Sequence, residues 1–191
     1  MYGLIGKFAQ SLRWRWRCQR AVWSARERSL AALENDPGRR ILVVCYGNIY
    51  RSPFVADGLR RALPNEVEVR SAGFHPKPGR AAPSRHVEIS RKYGVDLSSH
   101  RSTCLGSEEL QWPDLIVLMD RHNWQALTAM GVDDDRLVWL GVMDDGSVEI
   151  PDPYGQDDAT IERIIERLSD CTVRLAERIS ASNPGLAASA K

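Results

Sequence analysis

The chain has 191 residues, 43% of them hydrophobic, and a formal net charge of +1, enough for one substantial core and too balanced for a molecule coated in basic charge. Its four cysteines, Cys18, Cys45, Cys104 and Cys171, are scattered. They show neither a disulfide-like pattern nor metal-ligand spacing, which argues against a zinc module and fits a reducing, cytoplasmic compartment.

The first 40 residues hold nine Lys or Arg against three Asp or Glu, a net +6; the remaining 17 basic and 22 acidic residues give −5. A basic arm thus precedes a slightly acidic domain. Three of the six tryptophans lie in the first 23 residues. Leu4, Ile5, Phe8, Leu12 and Trp16 share one face at helical spacing, with arginines elsewhere. A basic, Trp-bearing amphipathic helix suits an anionic membrane surface or a partner protein. Two other readings stay open: a helix packed on the domain, and a disordered or wrongly included start. The segment is too interrupted to span a bilayer and lacks the apolar core of a signal peptide. No nucleic-acid-binding module accompanies the charge, so no nucleic-acid partner is expected. Asn35-Asp36-Pro37-Gly38 is a turn signal. The expected organisation is an extension over 1–38, a main domain over 39–181 and a flexible tail over 182–191.

Ile41-Leu42-Val43-Val44 is short, branched and bounded by charge, and reads as a buried strand. Cys45-Tyr46-Gly47-Asn48-Ile49-Tyr50-Arg51-Ser52-Pro53 follows at once. Pro53 suits a first helical position with Ser52 as its cap, and Phe54, Val55, Leu59 and Leu63 recur at helical spacing. A loop from a strand's carboxyl end to a helix's amino end gathers unpaired N–H groups and a helix dipole, which suits an anion. Gly47 and Asn48 tolerate the backbone angles such a loop needs. Arg51 offers a planar fork to two phosphoryl oxygens. The same field favours the Cys45 thiolate, a nucleophile able to accept a phosphoryl group, with Ser52 placed to hydrogen-bond the sulfur as it leaves. A Cys-x5-Arg spacing by itself also describes a buried strand-end cysteine; the strand, the helix and Ser52 around it turn the balance.

The spacing predicts a second strand at 67–71, a helix over 84–93 ended by Gly94, a central strand at 115–119, a helix over 123–130 and a strand at 137–140. Ile150-Pro151-Asp152-Pro153-Tyr154-Gly155 is a stiff loop. Read alone it is an ordinary turn. Beside a cysteine nucleophile, Asp152 becomes the acid that protonates a leaving alkoxide or phenoxide. Tyr154, with Phe74 or His75, would wall a slot for a flat substrate. A last helix spans 158–179, with Asp157 and Asp158 at its start and Ile161, Ile164, Ile165, Leu168, Leu175 and Ile179 inward. Alternating elements imply an α/β fold: a four-stranded parallel sheet with helices on both faces, right-handed crossovers, and the phosphate-binding loop after the first strand.

On the cysteine loop and the Asp-Pro-Tyr loop together, the stretch from about Arg40 to Ile179 resembles the low-molecular-weight protein tyrosine phosphatases, bacterial type. Ser71-Ala72-Gly73, Gly94-Val95-Asp96, Ser99-His100-Arg101 and the run Asp114 to Asp120 agree with it. The resemblance implies Cys45 as nucleophile, Arg51 as phosphate clamp and Asp152 as general acid. It also implies a phosphate cradle from Tyr46, Gly47, Asn48, Ile49, Tyr50 and Ser52. Ser71 and His100, with Asn48 and Ser52, would form the hydrogen-bond network that holds the loop. No cofactor and no metal are implied. The implied substrate is a phosphotyrosine protein, and bacterial relatives often oppose a tyrosine kinase that controls exopolysaccharide export. The expected location is the cytoplasm, and the membrane-surface reading of the arm, which the resemblance does not cover, would put it at the inner membrane surface.

Three departures matter. Tyr50 stands where the family usually has a second cysteine that shields the nucleophile from over-oxidation, so peroxide inactivation should be irreversible. Gly155 follows Tyr154 where animal members commonly have a second tyrosine. Ile49 replaces the smaller threonine of relatives acting on phosphoarginine, which favours phosphotyrosine. Two rivals share the fold: a thiol-dependent arsenate reductase, which needs two further cysteines close by, and a phosphate-binding module without turnover, which needs neither nucleophile nor acid.

Overall fold

The computed structural model describes residues 2–35 and 37–182, with side chains described from residue 16 onward. Ten regular elements follow one another. They are α1 (Tyr2–Glu34), β1 (Arg40–Cys45), α2 (Arg51–Ala62), β2 (Glu68–Gly73), α3 (Ser84–Arg91), α4 (Ser107–Gln111), β3 (Leu115–Leu118), α5 (Arg121–Ala129), β4 (Leu137–Trp139) and α6 (Asp158–Ser182). Short 3-10 turns flank β4 at Asp134–Arg136 and Leu140–Met143.

The four strands form one parallel sheet in the order β2-β1-β3-β4. Every residue of β1 after Arg40, and every residue of β3 and β4, is buried, as a parallel sheet covered on both faces requires. The chain leaves β1 toward β2 on one side and returns to β3 on the other. Ligands in such sheets sit at that reversal, beyond the carboxyl ends of the strands. Cys45 is the last residue of β1 and Gly73 the last of β2, in register with it.

Local chemistry sets the boundaries. Asp157 accepts the Thr160 N–H at the start of α6, and Asp120 accepts the Asn123 N–H at the start of α5, so each caps its helix. Gly94, at φ +75°, ends the turn after α3 in a conformation that other residues adopt at a cost. α4 went unread because five residues with a single buried side chain, Leu110, carry no periodicity. α2 begins at Arg51 rather than Pro53, and no side chain caps it. Pro53 therefore occupies the third helical position, where an N–H has no intrahelical partner anyway. Ser52 is freed for the loop.

From Cys18 onward α1 belongs to the same core as the sheet. Cys18, Ala21, Ala25, Ala32 and Leu33 are buried in one continuous cluster with β1 to β4. β4 is an edge strand, and α1 covers it: the buried Ser29 hydroxyl accepts the Trp139 N–H at 3.0 Å. Arg26 donates to the carbonyls of Val142 and Asp144, both at 2.7 Å. Gln125 of α5 donates to the Cys18 sulfur at 2.9 Å. A boundary at residue 38 thus marks a turn in the chain and not the edge of a separate arm. Of the expected apolar face, Leu4, Ile5, Phe8 and Leu12 lie outside the described side chains; Trp16 is 63% exposed. The tail beyond Ser182 lies outside the described residues.

Candidate active site

The loop between β1 and α2 is built around Asn48, a non-glycine residue at positive φ, +49°. Such a conformation costs energy and persists where neighbours hold it. Here every polar group of the side chain is engaged. Its amide donates to Ser52 Oγ and Ser71 Oγ, both at 2.9 Å, and its Oδ1 accepts the Thr103 N–H at 2.8 Å. Its carbonyl lies 2.7 Å from His100 Nε2. Gly73 lets β2 come this close: a Cβ there would lie 2.8 Å from Asn48 N and from Tyr46 O. Asn48 is thus joined by hydrogen bonds to Ser52, Ser71 and His100.

That network aims donors at Cys45. The Asn48 N–H donates to Sγ at 3.3 Å, and Ser52 Oγ lies 3.1 Å from it. Cys45 is 2% exposed, at the floor of a cavity of about 400 Å³. Tyr46, Tyr50, His75 and Tyr154 line its sides, with Ile49 and Arg80. Tyr50 and Tyr154 meet edge to face with centroids 6.5 Å apart, and Tyr46 meets His75 likewise at 5.8 Å. Of the two residues expected beside Tyr154, His75 lines the slot and Phe74 packs against the core instead.

Arg51 is 1% exposed yet carries a formal charge. One terminal nitrogen donates to Asp120 Oδ2 at 2.5 Å and to the Ile150 carbonyl at 2.9 Å; the other donates to Asp152 Oδ2 at 2.5 Å. Its buried Nε has no hydrogen-bond partner. Burial works against the charge, but Cys45, Asp152 and Asp120 outweigh it and raise the guanidinium's pKa. The fork suited to two phosphoryl oxygens is here shared between two carboxylates. Asp152 sits in an Asx turn, its Oδ1 accepting the Tyr154 N–H at 3.0 Å, which sets the loop that presents it.

Sequence reading missed three contributors. Asp120 ends the β3 run and pairs with Arg51. Arg80 lines the slot and donates to the Gly47 carbonyl. His86, fully buried, places Nε2 3.0 Å from the Tyr50 carbonyl and its ring 4.7 Å from that of Tyr50. Burial, opposed by the Tyr50 carbonyl and Asp152, lowers its pKa to about 4, so it is neutral and donates to that carbonyl. Only Asp120 had a usable signal, a carboxylate at the carboxyl end of a central strand. Among the described residues no group of His, Cys, Asp or Glu is placed to hold a metal ion.

The chain is similar to known proteins. Residues 40–184 match the family model described as low molecular weight phosphotyrosine protein phosphatase. The chain is 33% identical over 140 residues to the low molecular weight protein-tyrosine-phosphatase Etp of Escherichia coli K12, covering 73% of this chain and 94% of that one. It is 35% identical over 131 residues to the probable low molecular weight protein-tyrosine-phosphatase EpsP of Ralstonia nicotianae, covering 68% and 88%. Among solved structures it resembles the tyrosine phosphatase Wzb of Escherichia coli K30 in complex with sulphate, at TM-score 0.69 and 29% identity over 74% of this chain and 98% of that one. The YwlE arginine phosphatase of Geobacillus stearothermophilus gives the same TM-score at 26% identity, over 78% and 97%. The chain is a phosphatase and belongs to the low molecular weight phosphotyrosine protein phosphatase family.

Proposed function

We propose that the protein hydrolyses phosphotyrosine and similar aryl phosphate monoesters through a cysteinyl-phosphate intermediate. One observation carries this reading: Cys45 and Asp152 line one aromatic-walled slot, and the buried Arg51 fork behind it donates to the Asp152 carboxylate. The phosphate dianion enters the loop and takes the Arg51 nitrogen that Asp152 holds, leaving the Asp152 carboxyl to carry a proton. The Cys45 thiolate attacks phosphorus; the P–S bond forms as the ester P–O bond breaks, and Asp152 gives its proton to the departing oxygen. Asp152 then takes a proton from a water that attacks phosphorus. The P–S bond breaks, the electron pair returns to sulfur, and the Ser52 hydroxyl at 3.1 Å stabilises the thiolate. Asp120 holds Arg51 throughout, and loop N–H groups meet the charge that spreads over the phosphoryl oxygens.

The slot favours a flat ring, since Tyr50 and Tyr154, in edge-to-face contact, give it an aromatic lining and Ile49 adds an apolar side chain. Those features support phosphotyrosine over phosphoarginine. An arsenate reductase relay finds no support: Cys104 Sγ is turned to the His75 carbonyl at 3.2 Å, and Cys18 and Cys171 are buried elsewhere. The substrates in this reading are phosphotyrosine proteins, a bacterial tyrosine kinase acting in exopolysaccharide export being one, in the cytoplasm.

Hydrolysis of p-nitrophenyl phosphate between pH 5 and 8 tests the mechanism. Turnover by the native chain, lost in Cys45→Ser with a trapped phosphocysteine detected in Asp152→Asn, supports it. A folded, reduced native chain that binds phosphate without turnover would establish the non-catalytic module instead.

Helix α1 supports a second reading, attachment to an anionic membrane surface. Trp16 and Trp23 are 63% and 76% exposed, and Arg17 and Arg20 are exposed between them. No described helix is long and apolar enough to cross a membrane. Because α1 packs into the core from Cys18 on, the informative variant is the double Trp16→Ser, Trp23→Ser and not removal of the helix. Weaker sedimentation of the variant with phosphatidylserine vesicles supports attachment, and equal sedimentation removes it.

A further inference from the structure

A second cavity, of about 340 Å³, opens beside β2 and shares no lining residue with the catalytic slot. Its size is that of a small-ligand pocket. Three arginines, Arg60, Arg70 and Arg101, line it with one carboxylate, Glu109. Each cation has a partner, and Arg60 also has Asp57 at 4.0 Å. Arg60 Nε donates to the Val69 carbonyl at 2.9 Å, and Arg101 donates to the His100 carbonyl at 2.7 Å. Arg70 lies 4.0 Å over the Trp112 ring, with Glu68 at 3.4 Å. Glu109 is turned to the Gly106 N–H at 2.9 Å. A guanidinium has five N–H donors, and these contacts use only some of them. Like charges grouped around a partly enclosed space repel, and an oxyanion among them removes the repulsion while gaining charge-assisted hydrogen bonds.

The cavity also touches the machinery of the loop. Its lining includes Ser71, His100 and Thr103, the three residues that hold Asn48 at positive φ from outside the loop. Burial lowers the His100 pKa, the Asn48 carbonyl opposes this, and Arg60 and Arg101 lower it further. The charge of the cavity therefore reaches the imidazole that bonds the phosphate loop.

We propose that this cavity is an effector site for a small soluble oxyanion, a phosphate-bearing metabolite, whose binding is transmitted to the catalytic loop through His100, Ser71 and Thr103 to Asn48. An anion beside His100 polarises its N–H toward the Asn48 carbonyl and firms the loop, so occupancy raises turnover. The effect on turnover rests on the phosphatase reading above; the binding does not.

The full chain, carboxymethylated at Cys45 with iodoacetate so that the catalytic loop is filled, is titrated with inorganic phosphate. The side-chain NMR signals of Arg60, Arg70, Arg101 and Trp112 are followed. A saturable shift shared by these signals, weakened at least tenfold in Arg101→Glu, is expected; signals that stay still, or that titrate equally in the variant, overturn the site. In the unmodified enzyme, phosphate as product competes and raises KM, whereas effector occupancy raises kcat, extrapolated to saturating p-nitrophenyl phosphate, at least twofold. A kcat that phosphate leaves unchanged overturns the coupling. Vesicles containing phosphatidic acid that move these signals where free phosphate does not would overturn a soluble ligand. Turnover of Arg101→Glu without added phosphate shows that the catalytic reading stands whichever way the site is decided.

Discussion

The phosphate loop and the second half of helix α1 are both held against the sheet, by opposite means. In the loop the polar groups of Asn48 are spent on Ser52, Ser71, Thr103 and His100, and a buried cation is balanced by two carboxylates. Helix α1 is held by a stripe of small side chains, Ala21, Ala25 and Ala32, and by a few hydrogen bonds to the edge of β4. The loop concentrates function and strain in eight residues; the helix spreads stability over many weak contacts. Damage to the first should abolish chemistry with little unfolding, and damage to the second should do the reverse.

The largest effect should come from peroxide. Gly73 pairs with Cys45 on one side and with Cys104 on the other, so the two cysteines stand about two strand spacings apart, roughly 10 Å. A disulfide cannot span that distance. Oxidation of Cys45 should pass beyond the sulfenic acid, with activity lost and not recovered in dithiothreitol. Tyr50→Cys should restore recovery by supplying a partner five residues away. Full recovery of the native chain would remove Tyr50 as the determinant.

Asp152→Asn should lower kcat on phosphotyrosine about 10² to 10⁴-fold, and less on p-nitrophenyl phosphate, whose leaving group needs little protonation. Its melting temperature should change little, because the Asp152 side chain is 38% exposed. A large fall in melting temperature would mean that the Arg51 pair is structural first.

His86 sharpens the comparison through pH. Its folded pKa is lowered to about 4, from 6.5 in the unfolded chain, so the unfolded state binds the extra proton. The stabilisation is complete above pH 6.5 and is lost as pH falls toward 4, a loss on the order of 3 kcal/mol. Urea midpoints at pH 7 and 4.5 should differ less in His86→Gln than in the native chain. An equal difference would place the acid sensitivity elsewhere.

The smallest change should come from helix α1. Ser29→Ala leaves the Trp139 N–H without its partner in a buried setting and should cost about 1 to 3 kcal/mol. Thermal unfolding should shift down while kcat and KM at 20 °C stay as they were. Altered kinetics would show that the edge strand and the loop are coupled.

How much of this was legible depended on how the information is written. The loop is written in neighbouring letters: Cys45, Asn48, Arg51 and Ser52 are consecutive enough for spacing to imply geometry, and the flanking strand and helix carry clean periodicity. Asp152 could be picked out because two prolines frame it. Arg80 and His86 could not, since an arginine in a polar loop and a histidine on a short helix look like solvated residues until the fold closes over them. Helix α1 misled because its large apolar residues stand out, while the face that reaches the core from Cys18 on is mostly small, Ala21, Ala25, Ser29 and Ala32 beside Cys18 and Leu33, with little transfer energy to betray burial.

The four parallel strands, the helices other than α4 and the Cys45–Ser52 loop between β1 and α2 were readable from the chain alone, because strand hydrophobicity, helix periodicity and turn chemistry are local properties. Packing alone set Arg51 between Asp120 and Asp152, laid α1 along the edge of β4, and brought three arginines from separate segments to the lining of one cavity. Those are encounters between residues far apart in the chain, and their partners are chosen by packing rather than by spacing.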